Sequence, residues 1–163
     1  MRSAEGRVLL AKILDAAISA TRADFGNIQL VSPLTGTLEI VAQKGFPPVF
    51  LDYFSATHAG QAACGTAMSE RTRVVVEDVE THPAFHDTGL QAVMRAAGVR
   101  AVQSTPLIDR KGAVFGVLST HFRTPHQPTE HELHLIDVFA RLLADVDRKR
   151  VDVPLRGDAQ RGT

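Results

Sequence analysis

The side chains best suited to bind a ligand fall on two strand-like segments in the second half of the chain. Val102 and Ser104 alternate along one segment, and Val117, Ser119 and His121 alternate along the next. Side chains two residues apart on a strand point to the same side of the sheet. Hydroxyl and imidazole groups among valines are typical of the wall of a small-molecule pocket. We therefore predict that these five residues line a binding site.

Other roles for the histidines stay open at this point. An imidazole near the end of a strand, such as that of His121, can simply bond a backbone carbonyl or a water molecule, and it can also ligate a metal or a haem. His82 and His86 would share one face of a helix, and with His58 they raise the possibility of a metal site. Pro83 weakens that interpretation because it interrupts the segment. We predict that the chain holds no metal.

Cys64 is the one cysteine of the chain, so neither an internal disulfide nor a zinc site built on paired cysteines can form. Its neighbours Ala62, Ala63 and Gly65 are small, which favours a buried thiol that packs as a modest hydrophobic group. The alternative is a thiol that faces the pocket and contacts ligand or reacts with an oxidant, which requires exposure and a lowered pKa. Such sparing use of thiols suits a reducing compartment and favours a cytoplasmic location.

No catalytic constellation stands out in the rest of the sequence. No Ser-His-Asp order or paired-carboxylate arrangement stands out, and the glycine-rich phosphate-binding patterns are absent. Eighteen basic residues balance eighteen acidic ones, so no overall positive field attracts nucleic acid or anionic lipid. The N-terminal segment has no continuous apolar stretch typical of a signal peptide or a membrane span. We predict a non-enzymatic protein with neither nucleic acid nor membrane as a partner.

The elements that position these residues form an α+β pattern. With 163 residues, of which 44% are hydrophobic and 22% charged, the chain fits one domain over residues 1–150, followed by a flexible tail over 151–163. We expect a central antiparallel sheet of five to six strands, with the N- and C-terminal helices on one face and ligand-covering loops or helices on the other. Apolar periodicity predicts helices at 9–20, 87–97 and 129–150, and strands at 26–31, 37–42, 74–76, 99–108 and 113–122.

The segment 45–54 is expected to close the pocket. It contains two consecutive prolines followed by spaced aromatic residues, which predicts a short amphipathic helix or an ordered loop. Phe46 and Phe50 from this segment, together with Phe85 and Met94, are the predicted apolar walls of the site.

The two terminal helices carry more apolar surface than one sheet face needs. The last helix opens with a capping-box pattern formed by Thr129 and Glu132. We predict that the terminal helices pair across a two-fold axis in a homodimer, the alternative being a helix that only covers its own sheet. The apolar stripes concerned are Ile136, Ala140 and Leu143 with Leu135, Phe139, Leu142 and Val146 in the last helix, and Leu9, Ile13, Ala16 and Ala20 in the first.

Several segments resemble the GAF domains of bacterial sensor proteins. The resembling segments are 26–30, 64–67, 74–79, 98–107 and 116–122, together with Gly112, Pro125 and Pro128. The resemblance spans residues 9–150. It implies a pocket between the sheet and its covering loops that holds a small molecule, as in similar domains of sensor histidine kinases, cyclic-nucleotide phosphodiesterases and phytochromes. In bilin-binding relatives, the histidine at the position resembling His121 points into that pocket.

The resemblance leaves the ligand and any cofactor unidentified. The Pro-Ser-Asp-Ile-Pro stretch of the bilin-binding type and the Asn-Lys-x-x-Phe-Asp-x-x-Asp-Glu set of the cyclic-nucleotide type are not recognisable here. The free-methionine-sulfoxide reductases use several cysteines, whereas Cys64 would lack a resolving thiol.

The leading hypothesis is a GAF-type signal-transduction domain that binds a small-molecule effector and signals through a helical homodimer interface. Because the sequence shows no kinase or other output segment, either a separate signalling protein would receive the signal or this chain is one piece of a larger system. One alternative is a redox sensor or reductase that depends on Cys64, and another is a structural dimerisation module without a ligand.

Overall fold

The computed structural model describes residues 4–85 and 89–146 and contains five helices, five strands and one short 3-10 turn within them. All neighbouring strands are antiparallel, and their order across the sheet is β2-β1-β5-β4-β3. The predicted α+β arrangement is confirmed. In chain order the elements are α1 (Ala4–Thr21), β1 (Phe25–Val31), β2 (Leu38–Lys44), α2 (Pro48–Tyr53), α3 (Ala62–Glu70), β3 (Val74–Val76), the 3-10 turn (Pro83–Phe85), α4 (Gly89–Ala97), β4 (Ala101–Ile108), β5 (Val114–Phe122) and α5 (Glu130–Val146).

Two helices differ from the sequence-based expectation. α1 is already helical at Ala4, five residues before the predicted start. Apolar periodicity did not reveal this first turn, because Gly6 is its only buried residue. α3 was not predicted at all, since Ala, Gly and Thr make up most of it and leave no apolar stripe to detect. The predicted start of α4, the predicted end of α5 and the predicted tail fall on 86–88 and 147–163, which lie outside the described residues.

α1 and α5 pack against one face of the sheet and against each other. Leu10 and Leu14 recur on the buried side of α1, and Ile136 and Leu143 do so on α5. They meet Ile28, Leu30, Leu107 and Leu118 from the sheet. Each such side chain contributes about 1.5–3 kcal/mol by leaving water. We call this side of the sheet the helix face.

The start of α5 has the capping geometry expected from its sequence. The backbone N–H of Glu132 donates to Oγ1 of Thr129 at 3.1 Å, and the backbone N–H of Thr129 donates to Oε2 of Glu132 at 3.3 Å. The same carboxylate oxygen lies 2.8 Å from Nε2 of His126. These reciprocal bonds satisfy amides that no helical carbonyl can reach, which confirms the predicted capping box.

A closed polar network crosses the helix face. Gln103 donates through Nε2 to Oγ1 of Thr120 at 3.1 Å, and its Oε1 accepts from Oγ1 of Thr105 at 2.6 Å. Nε of Arg73 donates to Oγ1 of Thr105 at 2.9 Å, and its Nη2 pairs with Asp137 on α5. These five residues, the Gln103 network, therefore tie β4 and β5 to the last helix.

The opposite side of the sheet is covered by α2, α3, α4 and the loops between them, and we call it the pocket face. Its core is aromatic where the helix face is aliphatic. The rings of Phe46 and Phe50 are parallel, with centroids 3.8 Å apart, while Phe25 and Phe54 extend the stack at 5.3 and 4.5 Å. The predicted covering segment is thus ordered, and part of it is the short helix α2.

β1 and β5 form the central seam of the sheet at unusually close range. A Cβ atom on Gly116 would lie 2.4 Å from the backbone oxygen of Gln29, so only glycine fits there. The register of β4 on β5 shifts once, beside Leu107. On β5 this irregularity lies between Val114 and Gly116, so the side chains from Val117 to His121 alternate regularly.

Candidate functional site

A small cavity lies between the pocket face of the sheet and the covering helices. Its volume is about 10 Å³, which is room for roughly one water molecule. β1, β4 and β5 supply its floor, while α2, α3, α4 and the 3-10 turn supply its roof. Its lining residues are Asn27, Gln29, Phe50, Phe54, Ala62, Ala63, Cys64, Phe85, Met94, Val102, Ser104, Ser119 and His121.

The structure brings most of the predicted site residues together at this cavity. Phe50, Cys64, Phe85, Met94, Val102, Ser104, Ser119 and His121 line it. Phe46 and Val117 are buried in the same core but do not line the cavity. Phe46 stacks on Phe50 instead.

His121 is buried at the floor of the cavity, beside the stacked rings of Phe46 and Phe50. Its ring is perpendicular to those of Phe46 and Phe50, at centroid distances of 4.9 and 5.6 Å. Nδ1 has no hydrogen-bond partner among the residues that the structure describes. Burial lowers the pKa of His121 from 6.5 to about 3, so the imidazole is neutral at physiological pH. It can exchange hydrogen bonds with a ligand but supplies no charge.

Asn27 and Gln29 add two further polar groups that the sequence-based prediction missed. Both are buried, and neither Oδ1 of Asn27 nor Oε1 of Gln29 has a partner in the described part of the chain. Nε2 of Gln29 donates to Oγ1 of Thr57 at 3.4 Å. A buried acceptor left without a donor costs about 1–3 kcal/mol. The signal was present in the sequence, because both residues alternate with Ile28 and Leu30 of the helix face.

Ser104 and Ser119 face each other across β4 and β5, with their hydroxyl oxygens 2.7 Å apart. Either hydroxyl can donate in this pair, and each oxygen keeps an acceptor lone pair for a ligand. On the other side of β5, Ser119 is opposite Asn27 in the register of β1. The polar floor therefore spans three adjacent strands.

Cys64 lines the cavity from α3 as a buried, neutral thiol. Burial raises its pKa from 9.0 to about 11, and hydrogen bonds from groups that include Gln29 and Thr57 only partly offset this effect. Its helix lies so close to the preceding loop that a Cβ atom on Gly65 would be 2.3 Å from the backbone oxygen of His58. Only glycine fits at this position. At pH 7 the thiolate needed for nucleophilic attack is scarce.

Several charged groups outside the cavity form ion pairs. Arg100 donates to both carboxylate oxygens of Asp78, at 3.1 and 2.9 Å, and this lowers the pKa of Asp78. Glu80 is paired in the same way with Arg95. An open groove of about 520 Å³ lies beside Asp78 and His82.

Within residues 4–85 and 89–146, no three His, Cys, Asp or Glu side chains are placed to hold a metal ion. No helix in the same ranges is long and apolar enough to cross a membrane.

A strand order of β2-β1-β5-β4-β3, with terminal helices on one face and a covered cavity on the other, agrees with the resemblance found in the sequence. The sequence profile of the GAF domain matches residues 5–146. The chain belongs to the GAF domain family. No curated protein sequence matches this GAF domain.

Solved structures agree with this GAF fold along most of the chain. A domain assigned to a two-component sensor histidine kinase of Sinorhizobium meliloti 1021 has 21% identity and a TM-score of 0.76, covering 99% of this chain and 100% of that one. The GAF domain of an Acinetobacter phosphoenolpyruvate-protein phosphotransferase has 17% identity and a TM-score of 0.70, with coverages of 86% and 80%. The free methionine-R-sulfoxide reductase of Neisseria meningitidis, solved with its substrate, has 20% identity and a TM-score of 0.70, with coverages of 88% and 78%. At these identities the likeness concerns the fold.

Proposed function

We propose that this GAF domain, spanning residues 1–150, is a cytoplasmic sensor that binds a small-molecule effector in the cavity of the pocket face. The observation that carries the proposal is the convergence on one cavity of three polar atoms, from Asn27, Gln29 and His121, that have no partner among the described residues. A chain that evolved only to be stable would satisfy or replace such groups. Binding shifts the population towards a conformation with different helix positions, and a separate signalling protein reads the change.

Native mass spectrometry of the protein purified from its own host tests this proposal. It measures the mass of a retained small molecule and the number of subunits in one experiment. A reproducible extra mass supports the sensor function and identifies the effector class. If the purified protein carries no added mass and an extensive metabolite library leaves its melting temperature unchanged, the proposal is wrong.

The second part of the proposal is a homodimer formed through α1 and α5. Val138 and Leu142 on α5 are each 44% exposed, and Val8 on α1 is 55% exposed, so both helices present apolar side chains to solvent. Burial of such surface drives subunit association.

Leu142→Glu is expected to convert a dimer into a monomer, because it places a charge in the proposed interface. Light scattering at tens of micromolar protein measures the change in mass. Leu34→Glu is the matched control, since Leu34 is 94% exposed in the turn between β1 and β2, and it should keep the dimer mass. A monomeric wild type would refute the dimer.

The alternative of a redox sensor or reductase centred on Cys64 is disfavoured by the buried thiol and its raised pKa. We expect a thiol-reactive reagent at pH 7.5 to label Cys64 at least about 100-fold more slowly in the native protein than in urea, because the thiolate is scarce. If the native protein were labelled as fast as the unfolded protein, the hypothesis of a redox function would stand again. Cys64→Ser then tests whether any reductase activity depends on the thiol.

A structural dimerisation module is the second candidate, and the small volume of the cavity favours it. A site with room for about one water molecule must expand before it accepts an organic ligand. This candidate predicts a dimer whose melting temperature is the same with every metabolite tested. A single reproducible ligand-induced shift of several degrees would exclude it.

A further inference from the structure

We propose that the effector is an uncharged, planar molecule whose edge carries both N–H and C=O groups, as in a lactam, a cyclic imide or an aromatic carboxamide. The inference rests on the proposed function, because it specifies the ligand of the same cavity. It follows from the charge, the hydrogen-bonding capacity and the shape of the cavity lining.

The described part of the cavity lining offers no countercharge. None of the described residues that form the cavity is Asp, Glu, Lys or Arg. His121 contributes a neutral imidazole because its buried ring does not hold a proton at physiological pH. A carboxylate, phosphate or ammonium group would lose its hydration shell there without an ionic partner, which is strongly unfavourable. Amino acids, organic acids and nucleotides are therefore poor matches for this lining.

The polar atoms of the floor match an amide-type edge. The amide oxygens of Asn27 and Gln29 accept hydrogen bonds, and the unpartnered Nδ1 of His121 accepts or donates according to its tautomer. Asn27 and Gln29 lie on β1, and His121 lies on the adjacent strand β5, two residues from Ser119, which is opposite Asn27. A ligand with neighbouring N–H and C=O groups supplies donors to the amide oxygens and suits the imidazole in either tautomer.

The shape of the site favours a flat ligand. The ring of Phe50 lies parallel to that of Phe46 and edge-on to His121, at the place where a ligand would contact the floor. The phenyl ring of Phe50 offers no hydrogen bond to the unpartnered atoms. A planar ligand that takes its place keeps the stacking on Phe46 and adds the missing bonds. Phe50 belongs to α2, a helix of only six residues, so its displacement involves a small element.

Four single-ring probes, three of equal size and the smaller toluene, test the inference on a Phe50→Ala variant, which removes the ring from the site. The probes are benzamide, benzoate, benzamidinium and toluene, which differ in charge and in hydrogen-bonding groups. We expect calorimetric titration to give benzamide a Kd at least about tenfold lower than that of each charged probe, because burial of an unpaired charge is costly. We also expect benzamide to bind more tightly than toluene.

A second variant shows whether the polar floor causes the preference. In Phe50→Ala/Asn27→Leu, one acceptor is replaced by an apolar group of similar size, and the ratio of the toluene Kd to the benzamide Kd should fall several-fold. If Phe50→Ala does not fold, the same titrations are made on Phe50→Leu and on the wild type, where weaker binding in the same order is expected.

The possible outcomes separate this inference from the proposed function. Tighter binding of benzoate or benzamidinium, or equal binding of toluene and benzamide, overturns the ligand class while the cavity remains a ligand site. If none of the four probes binds any of these proteins, the ligand class is overturned, while native mass spectrometry and the metabolite library decide separately whether the sensor function stands.

Discussion

The two faces of the sheet bury similar polar side chains with opposite results. On the helix face, Gln103, Thr105 and Thr120 form hydrogen bonds with one another and with Arg73. On the pocket face, Asn27, Gln29 and His121 each keep an atom that has no partner in the described structure. The difference teaches that polarity in a core is not by itself a sign of a binding site. A closed network stabilises the fold, whereas an open one is available to a ligand.

The apolar parts of the two faces differ in the same sense. Aliphatic side chains of α1 and α5 fill the helix face, while stacked rings of the segment 46–54 fill much of the pocket face. Flat rings can be exchanged for another flat molecule with little change in the packing behind them. The aromatic core of the pocket face is therefore the part of the molecule where the proposed planar ligand would fit.

The largest expected effect comes from damage to the helix face. Leu14→Ala should lower the free energy of unfolding by about 3 kcal/mol, because Leu14 is fully buried and its removal leaves a cavity. Urea denaturation measures the change. The control Leu34→Ala, at an exposed turn position, should change the free energy by less than about 0.5 kcal/mol. Similar losses in both variants would contradict the assigned core.

The dependence of stability on pH tests the burial of His121 on the pocket face. Its pKa is about 3 in the folded protein and about 6.5 in the unfolded chain, so the unfolded chain binds the proton first as the pH falls. The associated stability is complete above pH 6.5 and is lost as the pH falls from about 6.5 towards 3, by about 1.4 kcal/mol per pH unit. Between pH 7.5 and 5 the loss is therefore about 2 kcal/mol.

The control variants for this titration are His121→Asn and His58→Asn. His121→Asn should flatten the dependence of stability on pH over this range, while His58→Asn, at an exposed position, should keep the wild-type slope. Urea denaturation at several pH values gives the slopes. Parallel curves for the two variants would mean that His121 is not held neutral by burial.

The smallest effect comes from matched glutamines on the two faces, and it is the sharpest comparison because the signs should differ. Gln103→Leu removes the partner of Thr105 and Thr120, so the free energy of unfolding should fall by about 1–2 kcal/mol. Gln29→Leu removes an oxygen that has no partner among the described residues, together with only weak bonds, one of 3.4 Å to Thr57 and one to the Cys64 thiol. Stability should therefore stay unchanged or rise by up to about 1 kcal/mol. Thermal and urea denaturation measure both, and equal losses would remove the distinction between the networks.

Regular periodicity made much of the fold predictable from the sequence. The apolar row of α1, the capping box at Thr129 and the hairpin formed by β4 and β5 each depend on local patterns that the structure confirms. Period-two alternation also placed Ser104, Ser119 and His121 on one side of the sheet, where they line the cavity.

The rest depended on contacts that a local pattern does not encode. α3 lacks an apolar stripe, so its existence depends on how its small residues pack under the loop at His58. The pairing of Ser104 with Ser119 follows from the register of β4 on β5. The amide oxygens of Asn27 and Gln29 have no partner among the described residues because the described covering helices place no hydrogen-bond donor near them. Phe46 was assigned to the wall because it is aromatic, although its ring lies behind that of Phe50.

The central seam between β1 and β5 has a consequence for the rate at which the chain folds. Each hairpin, β1 with β2 and β4 with β5, joins strands that are close in sequence, whereas the seam joins Gln29 to Val117 across most of the domain. Closing so long a loop costs entropy before any contact compensates for it. We expect the hairpins to form early and the seam to close in the rate-limiting step, at the point where Gly116 alone permits the two backbones to meet.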